Sequence, residues 1–280
     1  MLNEKTIVFL GAGSMAESMI SGMIQAGKVP ANQIIVTNRS NRERLQELKK
    51  NYGVRITSLE DIPYQEADLF ILAMKPKGAS DALSSIKDQL NKEQVVISVL
   101  AGISTGFMEE RLNAGQQVIR VMPNTSSMIQ ESATAMSPGK HTKMDHVLDV
   151  KELLECMGKV YVIEEEQMDV FTGLAGSGPA YFYYLMEHME SVGKKNGMDE
   201  EVVREIVAQT IYGAAKMIME NDETPAELRE NVTSPNGTTA AGLDALAQYN
   251  GGKAIAQAVN HALNRSKEIS EELEGVLVPS

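Results

Sequence analysis

The chain has 280 residues, a formal net charge of −12 and 43% hydrophobic residues, enough for one large or two ordinary domains with a sizeable core. The negative balance argues against general binding to a phosphate backbone, and no apolar run approaches the ~20 residues of a membrane-spanning helix. A single cysteine, Cys156, excludes an intrachain disulfide and fits a reducing cytoplasm, as does an N-terminus (Asn3, Glu4, Lys5) without the apolar core of a secretory signal.

The first predicted element is a buried strand, Ile7-Val8-Phe9-Leu10, running straight into Gly11-Ala12-Gly13. A helical pattern follows, with Met15, Met19, Ile20, Met23 and Ile24 on one face. Strand, glycine turn and helix start make a dinucleotide-binding unit. The first Gly makes the turn, the second lets a pyrophosphate approach, and small Ala16 packs helix on strand. The alternative is a turn whose glycines serve packing alone.

A second strand, Gln33 to Thr37, ends at Asn38-Arg39-Ser40. An acid at this point would hold a ribose 2′-hydroxyl. Asn38 and the Arg39 guanidinium suit a 2′-phosphate better, which favours NADPH, with NADH as the alternative. Ser40 is expected to cap a helix over 41–51, with Glu43 completing a capping box. Further strands are expected at Val54–Ile56, Asp68–Ala73, Gln94–Val99, Gln117–Val121, Ala133–Met136 and Val160–Val162. The fourth strand ends at Met74-Lys75-Pro76 and the fifth at Leu100-Ala101-Gly102, and the carboxyl ends of parallel strands are where ligands sit. Ser104-Thr105 open a short helix, and another spans about 141–157. Alternating strand and helix imply an α/β fold with a doubly wound, mostly parallel sheet.

Beyond Ile163 helical periodicity takes over, so the domain boundary is placed there: 1–163 and 164–280. Helices are expected from near Gln167, over 179–194, from Asp199 as N-cap to Asn221, after the capping box Thr224-Pro225-Ala226-Glu227, and over 239–249 and 253–269. The long helix carries a broad apolar stripe through Val203, Ile206, Val207, Ile211 and Met217. So small a helical unit buries little by itself, which favours packing against a second subunit over a monomeric bundle.

Two segments, Gly176 to Pro179 and Ser234 to Thr239, place N–H groups and hydroxyls at helix starts. They read as receptors for a carboxylate or phosphate, or as ordinary caps. His141 and His146 fall in an expected surface helix, His188 and His261 inside helices, and no metal-ligand spacing occurs. The 17 methionines read as core filler. With no charged nucleophile in view, a cofactor-borne chemistry such as hydride transfer to an imine fits best.

GAGSMAES at 11–18, AMKP at 73–76, SVLAGIS at 98–104, RVMPNTS at 120–126, TGLAGSGPAY at 172–181 and NVTSPNGTTAAGL at 231–243 together resemble the pyrroline-5-carboxylate reductase family, from about residue 5 to 270. The resemblance implies NAD(P)H-dependent reduction of 1-pyrroline-5-carboxylate to L-proline, the last step of proline synthesis. It also implies an N-terminal Rossmann-type domain and a C-terminal all-helical dimerisation domain, with homodimers that in many members gather into decamers. No nucleic-acid or membrane partner is implied.

Carried over, Leu10, Gly11, Ala12, Gly13, Ser14 and Met15 would bind the pyrophosphate, and Asn38 and Arg39 the ribose phosphate. Ala73, Met74, Lys75 and Pro76 would line the cofactor, as would Val99, Leu100 and Ala101 near the nicotinamide. Ser234, Gly237, Thr238 and Thr239 would hold the substrate, with Glu165 near cofactor and substrate. Thr239 takes the catalytic role of orienting the imine, with proton donation as a second role open to it. The family site joins one subunit's Rossmann domain to helices from across the dimer. Two positions depart from the pattern. Asn236 replaces the first Gly of SPGGTT, at a residue type that tolerates positive φ. Leu59-Glu60 stand where the family carries Asn, and an acid is a poor neighbour for phosphate. The competing readings are a related imine or β-hydroxyacid reductase and a catalytically idle NADP-binding regulator.

Overall fold

The computed structural model describes residues 2–277. The chain divides into two compact units: residues up to 176 together with those from 261 onward, and residues 177–260.

The first unit is built on one eight-stranded sheet. Its strands are β1 (Ile7–Leu10), β2 (Ile34–Thr37), β3 (Arg55–Ile56), β4 (Leu69–Leu72), β5 (Val95–Ser98), β6 (Gln117–Met122), β7 (Ser132–Pro138) and β8 (Gly158–Val162). They lie in the order β3-β2-β1-β4-β5-β6-β7-β8. All neighbours are parallel except β6 and β7. The order runs one way from β1 to β3 and the other way from β4 to β6. The reversal between β1 and β4 opens a crevice at their carboxyl ends.

Strand periodicity divides the core into two layers. Ile7, Phe9, Val36, Leu69, Ile71, Ile97 and Val121 face one side, against α1 (Ser14–Gln25), α2 (Arg42–Tyr52) and α5 (Met144–Leu154). Val8, Leu10, Phe70, Leu72, Val96 and Val118 face the other, against α3 (Ala79–Ile86) and α4 (Thr105–Arg111). This alternation on strands buried on both faces is what near-continuous apolar runs produce. Helix α3 was not expected. Two turns of ASDALSSI carry little periodic signal, and it is held by Leu83 and Ile86.

Helix α2 corrects one expectation. Asn41, not Ser40, is the N-cap, and its side chain accepts from Arg44 N–H at 2.9 Å. The Asn38 carboxamide fixes this. It accepts from Asn41 N–H at 2.9 Å and donates to the Asn41 carbonyl at 2.8 Å, bringing Asn41 to the cap. Glu43 forms no capping box there. His141 likewise precedes its helix, which begins at Met144.

After α6 (Met168–Phe171), Thr172–Gly176 form a π-helical turn. The second unit comprises α7 from Gly178 to Lys195, α8 (Glu200–Glu220), α9 (Pro225–Asn231), α10 (Thr238–Gln248) and the start of α11 (Gly251–Leu277). Asp199 caps α8, and Thr224 with Glu227 forms the capping box that opens α9. Buried apolar side chains are scarce here. Val203 and Val207 of α8 are the two, with Val203 packed against Gly193 of α7, while Ile206, Met217 and Ile218 of the same helix are exposed. Among the described residues no helix is long and apolar enough to cross a membrane.

Candidate active site

The sheet's crevice is built by its strand ends. Leu10 pairs level with Leu72 and Thr37, so the chain leaves β1 directly beside Ala73. The Gly11 N–H donates to the Thr37 carbonyl at 2.8 Å, and the Ala73 N–H to the Leu10 carbonyl at 2.9 Å. Gly11 adopts φ +122°, and a Cβ there would lie 2.4 Å from the Ala73 carbonyl oxygen. Only glycine fits this turn. Gly13 is the N-cap of α1, and Ser14 and Met15 begin the helix, so its first N–H groups and positive dipole end face the crevice side of the turn. Ala16 is fully buried, as helix-on-strand packing requires. These features fit a dinucleotide pyrophosphate.

Of the neighbouring positions, Ala73 and Leu100 are buried, Met74, Pro76 and Val99 half-buried, and Lys75 and Ala101 exposed. Pro76 opens a 3-10 turn that leads into α3. Beyond β2 lies a cleft of about 500 Å³ whose walls include Asn38, Arg39, Ser40, Arg42, Thr57 and Glu60. Both guanidinium groups and the departing acid thus share one cleft. The Asn38 side chain is engaged with Asn41, so Arg39 is the freer group toward a ligand.

Glu165 is tied into a half-buried ion pair that the sequence did not announce. Its Oε1 accepts from Arg120 Nη1 at 2.7 Å and its Oε2 from the Thr105 hydroxyl at 3.1 Å. The Arg120 side chain is 4% exposed, and its Nε and Nη2 are buried without a partner among the described residues. The signal available was Arg120 itself, a charge inside the apolar run Val118-Ile119-Arg120-Val121. Asn124 tethers the π-helical turn, its Nδ2 donating to the Ala175 carbonyl at 3.1 Å. Burial pushes the Cys156 thiol up to about 12, which removes it as a nucleophile. His188 lies edge-on to Tyr184 with ring centroids 4.3 Å apart, a packing contact.

The second unit holds the Ser234–Thr239 segment. The Gly237 N–H donates to the Ser234 carbonyl at 3.0 Å, and Asn236 takes φ +59°. Asn therefore keeps the turn in which the family carries Gly. Gly237 is the N-cap of α10, with Thr238 and Thr239 at the helix start and their side chains exposed. At Gly176 to Pro179 the helix start is found as expected, with Ser177 the N-cap of α7, but Ser177 has helical dihedrals (φ −86°, ψ −20°) and its hydroxyl makes no side-chain cap, so ordinary hydroxyl capping is not formed there.

Residues 165–269 match the family described as pyrroline-5-carboxylate reductase dimerisation, and residues 6–102 match NADP oxidoreductase, coenzyme F420-dependent. Pyrroline-5-carboxylate reductase 1 of Bacillus spizizenii is 56% identical, over 99% of this chain and 93% of that protein. Pyrroline-5-carboxylate reductase 2 of Bacillus subtilis is 42% identical, over 97% of each. Among solved structures, a pyrroline-5-carboxylate reductase from Coxiella burnetii superposes with a TM-score of 0.87 at 32% identity, covering 96% of this chain and 99% of that one. A Plasmodium falciparum pyrroline carboxylate reductase with NADP bound gives 0.86 at 27% identity, covering 96% and 100%. Fold, glycine turn and these likenesses define an oxidoreductase built on a nicotinamide-dinucleotide fold. The chain belongs to the pyrroline-5-carboxylate reductase family.

Proposed function

We propose that this protein reduces 1-pyrroline-5-carboxylate to L-proline with NADPH. The observation that carries the reading is full-length likeness at 56% identity, joined to a β1–α1 turn that only glycine at position 11 permits. The reaction adds a hydride to the imine carbon and a proton to its nitrogen. A bound reduced nicotinamide supplies the hydride.

The residues divide the remaining work. Gly11 to Met15 receive the pyrophosphate on backbone N–H groups, and Ala73 to Pro76 with Val99 to Ala101 form the walls for the rest of the cofactor. Arg39, exposed on the cleft beyond β2, supports the preference for NADPH over NADH. Glu60 on the same cleft opposes it. In the helical unit, backbone N–H groups at the Ser234–Thr238 turn receive the substrate carboxylate. The Thr239 hydroxyl hydrogen-bonds the ring nitrogen and orients the imine. Glu165, held by Arg120 and Thr105, acts as a fixed carboxylate near the reacting groups.

We place the division of labour near residue 163/164, supported by a dimerisation match that starts at 165. Homodimers, with decamers as the larger assembly, and a cytoplasmic setting complete the reading. The test follows loss of reduced-nicotinamide absorbance with 1-pyrroline-5-carboxylate. Thr239→Ala is expected to lose on the order of tenfold or more in kcat/KM, the scale of one hydrogen bond to a reacting nitrogen. An unchanged rate removes Thr239 from the mechanism.

A further inference from the structure

We propose that Arg44 is a positioning residue for the cofactor: by holding the Ala12 carbonyl it pre-sets the glycine turn for a pyrophosphate. The proposal rests on the reading of Gly11 to Gly13 as the cofactor turn. Arg44 is the third residue of α2, and each nitrogen of its guanidinium has an acceptor. Nε donates to the Ala12 carbonyl at 3.1 Å, Nη1 to Glu47 Oε2 at 2.7 Å, and Nη2 to Glu17 Oε2. The Tyr52 hydroxyl donates to Glu17 Oε1 at 3.0 Å. With two carboxylates against it, the guanidinium is not itself a phosphate ligand. Its effect passes through two neighbours.

The first is the peptide between Ala12 and Gly13. The chain contains no cis peptide among the described residues, and in a trans peptide C=O and N–H point in opposite directions. Fixing the Ala12 oxygen on Arg44 therefore turns the Gly13 N–H to the opposite side. There it joins the N–H groups that open α1 and have no intrahelical partner. A turn already held in this geometry loses less freedom when a ligand arrives. The second neighbour is Glu17, in the first turn of α1. A carboxylate suits a helix N-terminus, but left unpaired it would repel a pyrophosphate at the same end. Arg44 neutralises it and Tyr52 steadies it.

The experiment combines NADPH fluorescence titration with steady-state kinetics for wild type, Arg44→Lys and Arg44→Met. Arg44→Met is expected to raise Kd and KM for NADPH about tenfold. Arg44→Lys keeps the charge beside Glu17 but loses the Nε donor, so about threefold is expected. In both variants kcat at saturating NADPH and KM for 1-pyrroline-5-carboxylate stay within about twofold, a split that general loosening of the fold would not produce. Added salt screens Glu17 and narrows the gap between the two variants. A fall in kcat with NADPH affinity unmoved overturns the proposal, and so does no change at all. Should Arg44→Met not fold, Arg44→Lys and Tyr52→Phe carry the same split at smaller size, and an unmoved NADPH KM in both overturns it. Wild type without NADPH binding would sink the cofactor reading and the proposal with it. Wild-type binding with unmoved variants sinks the proposal alone.

Discussion

At Gly11 one added methyl group decides whether the crevice exists. Its φ of +122° is open to glycine, and a Cβ would sit 2.4 Å from a backbone oxygen that β4 holds in place. Gly11→Ala must move the turn or the end of β4, so it is expected to raise the NADPH KM by an order of magnitude or more. Initial rates against NADPH concentration check this, and an unshifted KM would detach Gly11 from cofactor binding. The turn itself was legible in the residues, because a turn after a buried strand is local chemistry. The role of Glu165 was half legible. Its number came from likeness to a family, whereas its partners, Arg120 and Thr105, lie 45 and 60 residues away along the chain. Asn236 shows the converse: it stands where the resembling family carries Gly, Asn is a residue type that tolerates positive φ, and it is found at φ +59°.

At the scale of elements, the cap of α2 links local stability to the cofactor side. Asn41 satisfies an opening N–H of the helix that carries Arg44 and forms one border of the cleft holding Arg39. Asn41→Ala is expected to cost about 1 kcal/mol of stability. Urea unfolding reads that as a lower midpoint with unchanged slope. Ser40→Ala, at the position first expected to cap, should leave the midpoint where it is. The error over Ser40 has a physical cause: Ser and Asn are equally good caps, and the Asn38 carboxamide chooses between them. Helix α3 was missed for a related reason. Two turns of small and polar residues are stabilised by where Leu83 and Ile86 land, not by intrinsic preference.

For the whole molecule, the two units differ in how they are held. The sheet unit has a layer of buried apolar side chains on each face. Residues 177–260 bury two apolar side chains and expose Tyr183, Tyr184, Ile206, Tyr212, Met217 and Ile218. The dimerisation match over 165–269 supports a homo-oligomer, and for a set of helices this poor in core those exposed faces are the ones whose covering would add most stability. Ile206→Asp is expected to shift sedimentation toward smaller species and lower the thermal midpoint. An assembly and midpoint equal to wild type would place the interface elsewhere.

The residues alone determined the eight strands in their chain order, the glycine turn and the helical character of the second half. Those are matters of period and turn chemistry within a dozen neighbours. Tertiary structure alone decided which way β7 runs, that the helix begun at Met168 widens into a π-helical turn at Thr172–Gly176, and that Arg44 meets Ala12 and Arg120 meets Glu165. Such contacts depend on where the chain returns after long excursions. No local pattern encodes that return, because it is set by the packing of the whole sheet.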